Sequence, residues 1–323
     1  MEPDRSTIWP YEGDGEPGRF YYSRNDHPAG AAAEAELGRL EGGEALLYAS
    51  GMGAIATTLL AFGGAGATVA VADGAYYGTG KLVRLLADWQ LELVEFDQTQ
   101  APPEEAQIVI VEAPANPVLT MPDFEALRAH PGLVVCDATL ATPVYLRALD
   151  EGVDVVVHSA TKYLTGHHNA LLGATVTRDP EKTARLREFR TSAGIPSAPD
   201  AAAALLAGLA DLEERIRRQT ATATDLAGRL EAHPAVERVR YPGFGGVISF
   251  DVADARAVET ATRLIVNATS LGAVTSTMES RHRWEGDRIP AGLLRLSVGL
   301  EEPDEIWADL DQALGRTAHQ QNL

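Results

Sequence analysis

The strongest constraint on this chain is a series of six short apolar runs separated by segments of helical character. The runs occupy residues 68–72, 91–96, 108–111, 133–136, 153–157 and 171–176, and several are rich in valine. Near-continuous apolar runs of strand length belong to strands buried on both faces, as in a parallel sheet covered by helices. Residues 79–88, 122–129 and 143–150 read as the intervening helices. This alternation predicts an α/β fold. Upstream, residues 31–40 predict an amphipathic helix. Ser50 is placed to cap a second helix that stops at Gly63-Gly64.

The pattern changes near residue 200. Residues 200–231 predict one long Ala- and Leu-rich helix. Strands are then expected at 236–241, 246–252, 272–276 and 293–298, with helices at 255–268 and 304–314. A chain of 323 residues suggests about two domains. The expected division is an irregular arm over residues 1–30, a large domain over 31–212 and a small α+β domain over 213–323.

Charge narrows the function classes. Asp and Glu number 46 against 27 Lys and Arg, a net charge of −19. Nucleic-acid binders need a basic footprint, and so does adhesion to anionic lipid. Neither partner is expected. Residues 45–72 carry no charged side chain, but glycines at 63, 64 and 66 divide them into a short helix and a strand. Neither piece has the length of a bilayer span. The residues before Gly18 show no basic start or apolar core, and Cys136 is the single cysteine. A cytoplasmic location is expected.

Four segments carry chemistry. His158-Ser159-Ala160-Thr161-Lys162-Tyr163 follows a buried strand, where α/β folds place their ligands. A lysine in a partly dry site has a lowered pKa and can form a Schiff base with a carbonyl. Ser159 and Thr161 could hold a phosphate beside it; a surface lysine in an ion pair fits the same pattern. Asp137 ends the run 133–136, suited either to pairing with a protonated ring nitrogen or to capping a loop. Ser50-Gly51-Met52-Gly53 opens a helix, so its N–H groups can meet an anion or simply be capped. Tyr76-Tyr77-Gly78-Thr79 puts an aromatic ring after a strand, for stacking on a planar group or for packing.

These segments occur in order with Glu112-x-Pro114-x-Asn116-Pro117 and Asp137-x-Thr139-x-Ala141-Thr142-Pro143. The set resembles the Cys/Met-metabolism (trans-sulfuration) family of enzymes dependent on pyridoxal phosphate (PLP). The resemblance runs from Tyr22-Ser23-Arg24 to Arg295-Leu296-Ser297-Val298-Gly299. The stretch Ser276 to Arg295, with Arg281-His282-Arg283-Trp284-Glu285-Gly286-Asp287 inside it, looks like the actinobacterial cystathionine γ-lyase type. The resemblance implies an aminotransferase-like fold type I: a large, mostly parallel seven-stranded sheet with a small C-terminal α+β domain.

It also implies roles. Lys162 would carry the cofactor and shuttle protons. Asp137 would pair with the ring nitrogen, Tyr76 would stack on the ring, and Thr139 would join the cofactor contacts. Gly51, Met52, Ser159 and Thr161 would bind the phosphate. Tyr22 and Arg24 would reach the phosphate of a neighbouring subunit in an active dimer, which is expected to pair into a homotetramer. Asn116 would contact both ring and substrate, and Ser276 and Arg295 would hold the substrate carboxylate. Thr275 stands where many γ-acting members carry Glu, which makes it a candidate for substrate choice.

The activity expected is γ-elimination from cystathionine, giving cysteine, 2-oxobutanoate and ammonia. Alternatives are γ-replacement on an O-acylhomoserine, methionine γ-lyase or cystathionine β-lyase activity, and an inactive relative that serves as a binding protein. A nucleotide-binding enzyme fits poorly, because Gly63-Gly64-Ala65-Gly66 precedes a strand instead of following one. No metal is expected, since His167-His168 lacks a carboxylate or thiol at ligand spacing.

Overall fold

A computed structural model describes residues 2–320. Its large sheet comprises β1 (Glu44–Tyr48), β2 (Thr68–Ala72), β3 (Glu92–Phe96), β4 (Ile108–Glu112), β5 (Leu133–Asp137), β6 (Val155–His158) and β7 (Gly173–Thr177). The order is β1-β7-β6-β5-β4-β2-β3. Only β7 runs against its neighbours. The valine-rich runs fill the two faces alternately: Val109, Val134 and Val156 enter one core, Ile108, Val135 and Val155 the other. Helices cover both faces, which is why these strands read as continuous apolar runs.

The helices are α1 (Pro28–Glu41), α2 (Gly51–Phe62), α3 (Tyr77–Leu85), α4 (Phe124–Arg128), α5 (Thr142–Tyr145), α6 (Pro180–Ala193), α7 (Pro199–Leu209) and α8 (Leu212–Glu231). Ser50 caps α2 as expected, accepting from the Gly53 N–H at 3.0 Å. Helix α8 links two cores. Leu212 and Ile216 pack under the large sheet, and Leu226 and Leu230 under a second one. That second sheet has the order β10-β11-β12-β9-β8. Its strands are β8 (Val236–Arg240), β9 (Val247–Val252), β10 (Val266–Asn267), β11 (Thr277–Ser280) and β12 (Leu293–Ser297). Helices α9 (Ala255–Ala261), α10 (His282–Glu285) and α11 (Pro303–Gln320) complete the described chain. Among the described residues before α1 there is no regular element, only an isolated bridge between Ile8 and Tyr22.

Several expectations needed correction. The helix expected over 200–231 is two helices, because Asp211 leaves helical geometry (φ −119°, ψ 11°). The helix expected over 255–268 ends at Ala261. Asp309 on α11 accepts the N–H groups of Arg263, Leu264 and Ile265 at 2.8–3.0 Å, which draws the chain out of the helix and into β10. Residues 272–276 are not a strand; the strand begins at Thr277. Their backbone bonds leave the sheet: Gly272 N–H goes to Ser297 Oγ, Val274 N–H to Gly166 O, and Ser276 N–H to Glu301. The helix expected over 143–150 is one turn of α5 followed by a 3-10 turn, Ala148–Glu151. Strand β1 and helix α6 had no counterpart in the sequence reading. β1 hides in the uncharged stretch 45–72, and α6 has polar residues on most sides.

Candidate active site

Strands β2, β4, β5 and β6 run in parallel and end on one edge of the sheet. The segments just beyond those ends supply Tyr76, Asn116, Asp137 and Lys162. Together with the start of α2 they enclose a cavity of about 380 Å³ that the small sheet closes with Ser270, Arg281 and Arg295. The rule that α/β folds bind ligands beyond the carboxyl ends of their strands holds here.

Lys162 is mostly buried, and its Nζ donates to Ser270 Oγ at 2.7 Å. Burial first, and then the Arg295 guanidinium, lower its pKa from 10.5 to about 8. This has a consequence for the cofactor-free chain. A lysine whose folded pKa is depressed costs stability where it must be charged, below about pH 8. The cost fades as pH rises toward 10.5, where the unfolded chain also loses its proton. Lys162→Met should therefore stabilise the cofactor-free protein by up to about 3 kcal/mol at pH 7, with the gain shrinking toward pH 10. Urea unfolding across that range measures it, and a pH-independent difference would contradict the assignment.

Asp137 is buried at the end of β5. Its Oδ1 accepts from the Thr139 N–H at 3.0 Å and the Thr139 hydroxyl at 2.5 Å. The same hydroxyl accepts from the Ser159 N–H at 2.7 Å, which ties the aspartate to the lysine loop. Burial raises the Asp137 pKa, while the Thr139 bonds and the positive field of Lys162 oppose that shift. Beside it on β4, Glu112 was quoted only as part of a motif, yet it organises two loops. Its Oε2 accepts from Tyr76 N–H at 2.7 Å and from Asn116 N–H at 3.0 Å. Burial and the neighbouring Asp137 push the Glu112 carboxyl well above its usual range.

Tyr76 is half-buried, with its ring folded over Gly78: a Cβ there would stand 2.4 Å from Tyr76 Cε1. This is why glycine follows the tyrosine pair. At the start of α2, Gly51 is equally constrained, since a Cβ would meet Ser159 Cβ at 2.9 Å. The Gly51 and Met52 N–H groups head the helix and have no intrahelical acceptor. Ser159 and Thr161 line the cavity beside them. The Thr161 hydroxyl, however, is engaged with the Leu172 backbone, accepting from N–H at 2.8 Å and donating to O at 3.1 Å.

Arg295 donates to Asn116 Oδ1 at 2.9 Å, to Ser270 O at 3.0 Å and to Glu279 Oε1 at 2.6 Å. Its buried Nε has no partner and one Nη1–H is also unused, so two donors are left. Burial lowers the Arg295 pKa to about 10.

Two expected substrate contacts lie elsewhere. Ser276 is fully buried; its hydroxyl donates to Glu301 at 2.7 Å and accepts from Gly299 N–H at 2.8 Å, so it anchors the chain after β12. Thr275 borders an adjoining cavity with His168, one that shares Thr161, Thr269 and Ser270 with the main cavity. The hydroxyl residues that this loop brings into the main cavity are Thr269 and Ser270, six positions earlier. Gly272 decides this register. It adopts φ +78°, and a Cβ there would meet Tyr163 N at 2.8 Å, so the residues just before it are pressed against the lysine loop. Ser270 also has φ 82°, a costly backbone conformation for serine that turns its hydroxyl to Lys162 and its carbonyl to Arg295. Tyr22 and Arg24 do not line this cavity. Arg24 donates to Thr191 O at 2.8 Å and lies over the Tyr22 ring. Among the described residues no three His, Cys, Asp or Glu side chains come together as a metal site, and no helix is long and apolar enough to cross a membrane.

The lysine, the aspartate, the tyrosine ring, the helix N-terminus and the guanidinium donors that line this cavity fit the groups that pyridoxal phosphate would need. The chain matches the Cys/Met metabolism PLP-dependent enzyme family over residues 5–315. It belongs to that family. An L-methionine γ-lyase of Streptomyces avermitilis is 40% identical, over 91% of this chain and 75% of its own length. Two solved structures are similar, each at 29% identity. Cystathionine γ-synthase from Xanthomonas oryzae pv. oryzae, in complex with aminoacrylate and cysteine, has a TM-score of 0.93 and covers 98% of this chain and 93% of its own. Cystathionine γ-lyase from Lactobacillus plantarum, complexed with L-serine, has a TM-score of 0.91 and covers 96% and 92%. The protein is thus a PLP-dependent enzyme of sulfur amino-acid metabolism with the fold type I architecture.

Proposed function

We propose that this enzyme catalyses γ-elimination from cystathionine, giving cysteine, 2-oxobutanoate and ammonia. The observation that carries the reading is Lys162, held on Ser270 Oγ at 2.7 Å with its pKa drawn down to about 8, in the same cavity as Arg295. Bound pyridoxal phosphate supplies the electron sink. The Gly51 and Met52 N–H groups with Ser159 hold its phosphate, Tyr76 stacks on its ring and Asp137 holds the ring-nitrogen proton. Arg295 takes the substrate carboxylate on its free Nε and fixes Cα and Cβ near Lys162. A lysine with a pKa near the working pH can accept a proton from carbon and return it, which γ-chemistry demands more than once. Ser270 parks that lysine between transfers. The cystathionine γ-lyase of Lactobacillus plantarum has the same overall fold.

The test is a substrate panel on the purified enzyme: cystathionine, homocysteine, methionine and an acylhomoserine with a thiol. Release of 2-oxobutanoate and cysteine from cystathionine, at the highest kcat/KM of the panel, is expected. Faster replacement on the acylhomoserine, or pyruvate as the product, would replace this reading by γ-replacement or β-elimination.

The proposal includes assembly as a homodimer, paired into a tetramer. Support comes from the arm, which leaves Ile8, Tyr11 and Tyr22 exposed and holds Tyr22 and Arg24 outside the cavity of their own subunit. In this reading they serve the phosphate of a second copy. The division into residues 1–30, 31–212 and 213–323 belongs to the same reading, as does a reducing, cytoplasmic location for a protein with a single thiol, Cys136.

A further inference from the structure

The cavity holds a second guanidinium. Arg281 leaves the end of β11 and lines the same space as Arg295 and Lys162. Its side chain is 4% exposed. Nη1 donates to Glu279 Oε1 at 2.8 Å, and Nε and Nη2 donate to Glu285 Oε1 at 3.2 and 3.1 Å. A guanidinium has five N–H donors. Three are used, so two remain.

Arg281 is not needed to balance Glu279. Arg295 already donates to the same Glu279 oxygen at 2.6 Å, and Trp284 Nε1 fixes the other at 3.0 Å. Arg281 and Glu285 therefore add a further buried ion pair, and removing two more charges from water costs several kcal/mol. The pair also keeps unused hydrogen-bonding capacity, since Glu285 Oε2 is buried without a partner. Position indicates a use for it. The Tyr77 ring lies 5.8 Å from the Arg281 guanidinium carbon, next to the Tyr76 ring at 5.0 Å. The half-exposed Trp284 indole lines the same cavity. Glu279 Oε1 accepts from both Arg281 and Arg295, so the cavity presents two guanidiniums on either side of one carboxylate, with Arg281 the one beside Tyr77.

We propose that Arg281 is a specificity residue that receives a second carboxylate at the far end of the substrate. The site then selects amino acids with two anionic ends over those with a neutral or purely cationic far end. Arg295 takes the carboxylate next to the reacting carbon, and Glu279 and Glu285 hold the second fork in place. This inference rests on the proposed two-ended substrate, cystathionine, and extends it to the group that recognises the far half.

The experiment compares L-cystathionine with S-(2-aminoethyl)-L-homocysteine, which lacks only the far carboxylate. Each is titrated into the holoenzyme and binding is read from the change in the visible spectrum. Wild type should bind cystathionine about tenfold or more tightly. In Arg281→Gln the two ligands should bind alike, with cystathionine weakened and the analogue nearly unchanged. Arg281→Lys, which retains the buried charge, should fall between. Equal binding of both ligands by wild type overturns the inference, even if the glutamine variant fails to fold. So does a variant that weakens both ligands equally, which would mean that Arg281 only props Glu279 and Arg295. Selective binding of cystathionine without its cleavage would sink the proposed reaction and leave the role of Arg281 standing.

Discussion

Lys162→Ala abolishes the visible absorption band of the purified holoprotein and lowers kcat/KM by about a thousandfold or more. The expectation follows from position and environment together. Lys162 is the only lysine in the cavity, it sits opposite Asp137 beyond the strand ends, and burial keeps its amine partly neutral near physiological pH. In the proposed role, alanine removes the nucleophile that would carry the cofactor and the base that would move protons at carbon, and it leaves Ser270 Oγ without its donor. Spectra before and after borohydride, with steady-state kinetics, make the measurement. A variant with an unchanged spectrum and normal turnover would remove Lys162 from the centre of the site.

Asp137→Ala retains cofactor but loses turnover by about a hundredfold to a thousandfold. The aspartate is buried, and its Oδ1 is occupied by the Thr139 N–H and hydroxyl. That bracing aims the carboxylate and opposes the effect of burial, so that it can hold a proton on the ring nitrogen in a dry site. In the proposed reading the Gly51 and Met52 N–H groups would still hold the phosphate, and Thr139 keeps its bond from the Ser159 N–H when Asp137 is lost. Cofactor content by absorbance and kcat by product release separate the two effects. Normal turnover in the variant would assign the ring proton to another group.

The Lys162 and Asp137 positions were legible because each closes a valine-rich run, and a buried parallel strand delivers the residue after it to the ligand edge. Gly51 was legible because Ser50 caps a helix there, and the glycine after the tyrosine pair because it marks a close backbone approach. These are local rules, carried by a few adjacent residues. The parts that were misread depend on distant partners. Residues 262–265 leave the helix because Asp309, more than forty positions away, takes their N–H groups. Thr269 and Ser270, and not Thr275 and Ser276, line the cavity with the lysine because Gly272 must fit against Tyr163. No periodicity distinguishes one hydroxyl pair from the other.

By itself the amino-acid sequence determined the α/β class, most strands of the large sheet, and the placing of Lys162 and Asp137 at the ends of strands on one edge of it. Strand burial and helix capping are short-range physics, and they write themselves into composition and spacing. Only the tertiary structure decided which loop of the small sheet closes the cavity, that Glu112 ties two loops together, and that Arg281 and Arg295 share one carboxylate. Those arrangements are set by packing between segments far apart in the chain, where one glycine contact or one buried ion pair fixes a register that the residues on either side leave open.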